Sequence, residues 1–509
     1  MNRIVHFTLG SIKKNSNKKP MFSFESYFID FHRDICKTLN AHLAESNANL
    51  CLPRGLSINI LLDVLFVHLL DISLKFIDGE SYLTYIWRKY LNEKVKTTNF
   101  YSYFIDNCPD AVKNIIDFTD INSKTSLKID DNIFEQIINL YIETEFTLIE
   151  SKFTTDKKLI SPQILSDIYE NIINANDNPD IKTNYGIFYT PFYEIDLMCK
   201  LSIVDNISNN FGDQLKADFY DLIFEESIKN KNHILIKIAN KAEIKELYNH
   251  IIDIKVLDPS CGCGSFLIRM FYVLLDLRKC FETYLNIDKN LYDIKSEIVF
   301  NNLYGVDIIN EATRITEKRL LLAILCEYKA PKDKDFLDFR FNIICGDSLL
   351  QKTDEYKLPN LKEILNYNGN ISPKIRELRD LKLGFINKIG DKQNNIEKIA
   401  HEKNNIFIKL LKSNLSKQKG LDKLLKYLSS NGNNFIWEKD FIEIFFSEKQ
   451  GFDIVIGNPP YVRQEFIDNK MNLGGKYTSY KQSLINSIYR LYPEFFNFGC
   501  VPILMKCRD

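Results

Sequence analysis

The sequence predicts an α/β protein: an open parallel sheet, preceded by an α-helical region and interrupted by a helical insertion before its last strand. Three observations carry this. Residues 24–180 repeat apolar side chains at helical spacing, as in Phe134, Ile137, Ile138, Tyr141 and Ile142, with few alternating runs. From about residue 181, short apolar runs that end in Gly, Asp or Asn alternate with helical segments, which is the pattern of parallel-sheet units. Residues 351–435, rich in Lys and Asn and helical at 396–411 and 421–428, break that alternation.

Composition sets the outer limits. A chain of 509 residues that is 45% hydrophobic has material for about three domains. Disordered and collagen-like classes are thereby excluded. With 66 basic against 67 acidic residues the net charge is −1, so a nucleic-acid partner has to be argued from local charge. The 11 cysteines are scattered, without the paired spacing of a disulfide framework, and point to a reducing, cytoplasmic setting.

Taken in order, residues 1–23 hold Arg3, Lys13, Lys14, Lys18 and Lys19 and no acid, but no apolar signal core follows, and they read as a solvated basic tail. The most apolar stretch, 56–77, is interrupted by Asn59, Asp63, His68, Asp71 and Lys75. Such residues are costly in a bilayer centre. Asn59, Asp63, Asp71 and Lys75 recur every four residues around Val67, the polar stripe of a largely buried helix, so no membrane partner is expected. In the helical region only Glu150-Ser151-Lys152 has a spacing known from metal-dependent nucleases, and such triplets arise by chance in a chain this rich in Lys and Glu.

Four strands are expected: Ile254-Lys255-Val256-Leu257, Asn302-Leu303-Tyr304-Gly305-Val306, Phe341-Asn342-Ile343-Ile344 and Phe452-Asp453-Ile454-Val455-Ile456. Ligands of open α/β sheets bind beyond the carboxyl ends of the strands, so these ends should line one site. After the first comes Asp258-Pro259-Ser260-Cys261-Gly262-Cys263-Gly264-Ser265-Phe266, leading into a helical run at 267–278. Two glycines in a strand-to-helix turn admit close approach of a ligand, and the helix start offers N–H groups. Cys261 and Cys263 could be called a metal pair, but no second Cys or His pair lies at ligand spacing nearby. The second strand ends in Asp307, placed to accept from ribose hydroxyls or to cap the following helix. The third ends in Gly346-Asp347-Ser348, where Asp347 suits either a cofactor amine or a turn.

The fourth strand ends in Gly457-Asn458-Pro459-Pro460-Tyr461. Two consecutive prolines fix a turn and offer no N–H, leaving the Pro459 carbonyl and the Asn458 side-chain oxygen as acceptors for one amino group. Tyr461 provides a face on which a planar ring can stack. The arrangement suits an exocyclic amine held in line with an electrophilic methyl, with proximity as the main catalytic contribution.

The motifs at 258–266 and 458–461 together resemble the cofactor and catalytic motifs of N6-adenine DNA methyltransferases. Gly186-Ile187-Phe188-Tyr189-Thr190-Pro191, preceded by Ile164-Leu165-Ser166-Asp167-Ile168-Tyr169-Glu170, is similar to that family's additional cofactor motif, and the motif order is that of the gamma class. The insertion, closed by residues 437–446, looks like that of type IIG restriction-modification proteins and the methyltransferases of phage-exclusion (BREX-type) systems. The resemblance covers roughly 130–490. It implies a Rossmann-like methyltransferase sheet, S-adenosylmethionine as cofactor and no metal. By the same resemblance Asn458, Pro459, Pro460 and Tyr461 hold a flipped-out adenine of double-stranded DNA. Asp258, Cys261, Gly262, Gly264 and Phe266 form the cofactor loop, Asp307 and Asp347 contact ribose and cofactor adenine, and Phe188, Thr190 and Pro191 close over the cofactor.

This divides the chain into a tail (1–23), a helical domain (24–180) and a catalytic domain (181–509) with the insertion at 351–435. From 352 to 426 there are 17 basic and 9 acidic residues, read either as a solvated face or as an electrostatic footprint for phosphates. Members of the family continue through further strands and a target-recognition domain, whereas here a helix (484–498) and a weak strand (501–505) follow the catalytic motif. The resemblance therefore predicts an incomplete catalytic domain, whose carboxy-terminal part is either separately encoded or lost. Two other readings remain open at this point: an inactive fragment that binds cofactor or DNA, and an N-methyltransferase acting on RNA or protein.

Overall fold

The computed structural model describes residues 24–46, 55–93, 99–113, 127, 129–149, 159–175, 190–326, 342–350, 377–378, 393–414, 421–429, 435–447 and 449–459. The basic tail, the 150–152 triplet and the segments at 484–498 and 501–505 lie outside these residues.

The helices Phe24–Ser46, Leu56–Leu74, Tyr82–Glu93, Phe100–Asn107, Asp131–Ile142 and Ile164–Ala175 build the amino-terminal part. Between the last two lies a parallel pair of two-residue strands, β1 (Glu145–Phe146) and β2 (Leu159–Ile160), too short to register as alternation in sequence. The sheet proper is β3 (Val256–Asp258), β4 (Leu303–Asp307), β5 (Ile343–Cys345) and β6 (Ile454–Val455), in the order β5-β4-β3-β6, with every neighbour parallel. All four strands expected from the sequence form. β3 and the first four residues of β4 are buried, as suits strands covered on both faces.

Two asparagines set the starts of β4 and β5. Asn302 Nδ2 donates to the Ile252 and Ile254 carbonyls (2.9 and 2.7 Å), and Asn342 Nδ2 to those of Phe300 and Leu303 (2.9 and 3.0 Å). Asn302 thereby gathers carbonyls at the end of the helix Ile244–Asp253, and Asn342 those where the segment Ile298–Asn302 enters β4.

One apolar core runs from Phe28 through the amino-terminal helices into the helices Ser265–Leu285 and Asn310–Leu325. The Leu56–Leu74 helix is long and apolar enough to cross a membrane, but most of it is buried inside the protein. Asp63 and Asp71 of its polar stripe are internal partners, while Lys75 just beyond its end is exposed. Asp71 accepts from the N–H groups of Phe76 and Tyr82 (3.0 and 2.7 Å), and Asp63 pairs with Lys318 of the helix Asn310–Leu325 at 2.5 Å. Asp63 and Lys318 are both buried.

The insertion packs around a core of its own. Ile399, Ile406, Phe407 and Leu410 on the helix Gln393–Asn414 meet Leu421, Leu424 and Leu428 of the helix Leu421–Ser429. Its exit segment then docks on the sheet: Phe435, Phe441 and Ile444 cluster with Leu257, Tyr304 and Val306.

Breaking a buried ion pair from one side leaves an uncompensated charge, so Lys318→Met is expected to lower the unfolding free energy by roughly 3–5 kcal/mol. Adding Asp63→Leu should restore most of it. Urea unfolding followed by circular dichroism reads both variants, and a loss below about 1 kcal/mol for Lys318→Met alone would refute the role given to the pair.

Candidate active site

In the order β5-β4-β3-β6, the chain builds from β3 outward to β5 and then returns to the opposite side of β3 with β6. The crevice where such an order reverses is the usual ligand position of an open α/β sheet. Asp258 ends β3 there, 1% exposed, its Oδ1 accepting from the Ser260 N–H at 3.1 Å. Burial pushes its carboxyl up to about 8; the Ser260 N–H opposes this and the Asp307 charge adds to it.

The turn after Asp258 is held from several sides. Gly262 (φ +51°) and Gly264 (φ +84°) lie in the left-handed region. A Cβ on Gly264 would stand 2.6 Å from Thr316 Cγ2, whereas one on Gly262 would meet nothing within 4 Å. The backbone at 262 is thus open to close approach. Gly262 donates its N–H to Asp307 Oδ2 (2.8 Å), and Ile309 donates to Oδ1 (2.9 Å). Asp307 is therefore not the cap of the next helix, a position Ile309 takes, but the clamp between turn and strand. Burial raises its carboxyl above the usual range, against these donors.

Cys261 extends the sheet pairing through its N–H to the Val306 carbonyl (2.9 Å), and its sulfur packs over Gly305. Burial pushes the thiols of Cys261 and Cys263 well above the usual thiol range. Phe266, buried at the start of the helix Ser265–Leu285, accepts at its carbonyl from the Cys199 thiol (3.7 Å).

At the end of β5, Asp347 makes a turn, Oδ1 accepting from the N–H groups of Leu349 and Leu350 (2.9 and 3.0 Å). The Ser348 hydroxyl donates to the Pro259 carbonyl, and Trp437 Nε1 donates to the Ser348 carbonyl (3.2 Å). A Cβ on Gly346 would overlap the Phe435 side chain. Trp437 opens the segment 437–446 that closes the insertion in sequence, but its contact with Ser348, and that of Phe435 with Gly346, appear only in the fold.

At the end of β6, a Cβ on Gly457 would overlap the Asp258 carboxylate. The next residue, Asn458, donates from Nδ2 to Thr190 Oγ1 at 3.0 Å, across 268 residues of sequence. In this orientation Oδ1 is turned away from Thr190, the sense an acceptor role requires. Pro191 caps the helix Phe192–Phe211, which packs on Ser265–Leu285 and is tied to it by the Asp196–Arg269 pair (2.5 Å). Pro459 is exposed; Phe188, Pro460 and Tyr461 lie outside the described residues. The structure thus brings together Thr190, Asp258, Cys261, Gly262, Gly264, Asp307, Asp347 and Asn458 at the ends of the four strands.

Residues 301–499 match the Eco57I restriction-modification methylase family, and residues 234–343 match the MmeI DNA-methyltransferase domain. The chain is 27% identical over 448 residues to a Methanocaldococcus jannaschii protein named as a type II restriction enzyme and methyltransferase, covering 75% of this chain and 37% of that one. It is 23% identical over 250 residues to the type II restriction enzyme and methyltransferase RM.Eco57I of Escherichia coli, covering 38% and 25% respectively. A solved structure of the type IIL restriction-modification enzyme MmeI in complex with DNA aligns with 63% of this chain and 40% of its own, at 16% identity and a TM-score of 0.38. The chain spans 37% and 25% of the length of the two curated relatives.

The two glycines flanking β6 make a controlled comparison. Gly457→Ala has to displace the Asp258 carboxylate and is expected to cost about 1–3 kcal/mol. Gly451→Ala, whose Cβ meets nothing within 4 Å, should stay within about 0.5 kcal/mol of the parent. Equal unfolding midpoints for the two variants would contradict the close approach.

Proposed function

For a chain that carries the methylase domain of Eco57I- and MmeI-type restriction-modification proteins, we propose that it transfers a methyl group from S-adenosylmethionine to N6 of an adenine in double-stranded DNA, in the cytoplasm, as the modifying part of a restriction-modification or phage-defence system. The observation that supports this reading best is the Asn458–Thr190 bond, which joins two separate motifs beside Asp258 at the sheet's switch point.

The residues present fit such a cofactor. Among the described residues Ser260 Oγ in the turn is buried without a hydrogen-bond partner, and the Gly262 backbone is open to close approach. The bound cofactor supplies an electrophilic methyl group and a positive charge. Asp258, Cys261, Gly262, Gly264 and Phe266 would cradle it. Asp307 would accept from ribose hydroxyls with the lone pairs its two backbone donors leave over. Asp347 would stand at the cofactor adenine, with Phe188, Thr190 and Pro191 closing the other side.

An adenine stacked in a duplex has to be extruded to reach this crevice. Asn458 Oδ1 and the Pro459 carbonyl would accept the two N6 hydrogens and orient the nitrogen lone pair, Pro460 would keep the turn rigid, and Tyr461 would stack on the base. Orientation of this kind is the chief catalytic contribution of these residues. Lys409, Lys412, Lys423 and Lys426 of the insertion are exposed and would meet the phosphate backbone. Lys403 would not: it is buried and donates to the Asp440 carbonyl at 2.5 Å.

Tritiated methyl transfer to unmodified duplex DNA tests the reading. Asn458→Ala should reduce incorporation by at least about a hundredfold while cofactor binding persists; equal incorporation by parent and variant would exclude Asn458 from the chemistry.

Asp258 makes a second prediction. Its raised carboxyl holds a proton below about pH 8, and a cationic cofactor favours the ionised form, so binding releases a proton in that range. Affinity should climb from pH 6 to 8 and level off above, and the slope should vanish in Asp258→Asn. In the unliganded protein the same group's stabilisation is complete below the unfolded carboxylate range and is lost as pH rises through about 8. Isothermal titration calorimetry in buffers of different ionisation enthalpy reads the released proton, and a pH-independent affinity would rule the linkage out.

A further inference from the structure

The helix Asn310–Leu325 touches the cofactor turn at two successive peptide groups. Thr316 Oγ1 donates to the Gly262 carbonyl at 2.8 Å, and one turn further Arg319 Nη1 donates to the Cys263 carbonyl at 2.6 Å. Thr316 and Arg319 lie three residues apart, so both face the turn from one side of their helix. With both carbonyls drawn toward that helix, the peptide planes of 262–264 are fixed: the Cys263 N–H takes its direction from the Gly262 carbonyl, while the Gly264 N–H closes the turn onto the Cys261 carbonyl at 2.8 Å. A turn that binds by backbone donors depends on those directions.

Arg319 is a cation only 1% exposed, and such a group needs acceptors held in place around it. One of them comes from outside the sheet. Gln163, from the turn ahead of the helix Ile164–Ala175 in the amino-terminal part, accepts from Arg319 Nη2 at 2.5 Å. Its own amide nitrogen is fixed by donating to Ser166 Oγ (3.0 Å) and Asp167 Oδ1 (3.1 Å). That double tether sets the amide orientation, so that Oε1 and not Nε2 meets the guanidinium. The chain of contacts therefore runs from Ser166 and Asp167, through Gln163 and Arg319, to the Cys263 carbonyl.

We infer that Gln163 is a positioning residue for the cofactor turn, acting through Arg319, so that the amino-terminal helices contribute to cofactor affinity although none of the residues assigned to the cofactor precedes 188. This deepens the proposed function and rests on it. Gln163 touches neither cofactor nor substrate; its effect is on the geometry of the 262–264 peptides.

The test uses the full chain and three substitutions. Gln163→Ala removes the acceptor, Gln163→Glu keeps an oxygen at the same reach, and Thr316→Val removes the companion donor to the Gly262 carbonyl. S-adenosylmethionine binding is measured by calorimetry, methyl transfer is resolved into kcat and KM for each substrate, and unfolding is followed by circular dichroism. Gln163→Ala should raise Kd and KM for S-adenosylmethionine by about tenfold, with kcat and the KM for DNA within about twofold of the parent. Gln163→Glu should recover most of that loss, and Thr316→Val should resemble Gln163→Ala. A parent chain that fails to bind S-adenosylmethionine overturns the proposed function itself. A parent that binds it while Gln163→Ala binds equally well overturns this inference alone. Parallel losses in stability, kcat and both KM values would likewise overturn it, by showing a purely structural role.

Discussion

The candidate site depends on the close approach of Gly457 to Asp258. Strand β6 delivers its end so close to the carboxylate of β3 that even a Cβ would overlap it. The register Val256↔Ile454 and Leu257↔Val455 follows, because a one-residue slip would put Ile456 or Asn458 against a buried carboxylate. The placement of Asn458 follows in turn, since it is the next residue out and its amide is oriented by Thr190. A site assembled on strand ends gains its precision from such packing and not from the loops themselves.

Around that contact the two carboxylates divide the work. Asp307 is held by backbone donors from Gly262 and Ile309 and so defines the shape of the turn. Asp258 is buried deeper, with the Ser260 N–H as its one donor among the described residues, and its carboxyl is driven up to about 8. Burial without full compensation is the mark of a group waiting for a charge. The amino-terminal helices and the insertion then serve this arrangement from opposite sides: Gln163 through Arg319, and Trp437 through Ser348 to Pro259.

Much of this was legible in the sequence. All four strands could be read because a buried parallel strand writes itself as a short apolar run, and their terminal residues could be read because turns at strand ends demand Gly, Asp or Pro. Asp347 was left between two roles, and the turn it makes is local chemistry that sequence could describe but not choose. What sequence could not show were the partners far apart in the chain. Thr190 and Asn458 belong to separate motifs, and nothing in either names the other. Asp63 and Asp71 looked like members of a polar stripe, because the partners that bury them, Lys318 and the N–H groups of Phe76 and Tyr82, arrive through tertiary packing. Arg319 lies inside an otherwise ordinary helical run and becomes informative only when the carbonyl it reaches is known.

The crossover from β5 to β6 has a consequence for how the molecule is assembled. The Lys255 N–H is bonded to the Asp453 carboxylate across 198 residues, and between them the insertion closes around a core of its own. Contacts of such separation form late in folding, since the chain must close a long loop before they are rewarded. β3 and β4, with the turn between them, need only local chain and can be in place first. During synthesis, then, the turn at 258–264 would exist before the strand that carries Asn458 is seated, and under the proposed function the capacity to bind would precede the capacity to react.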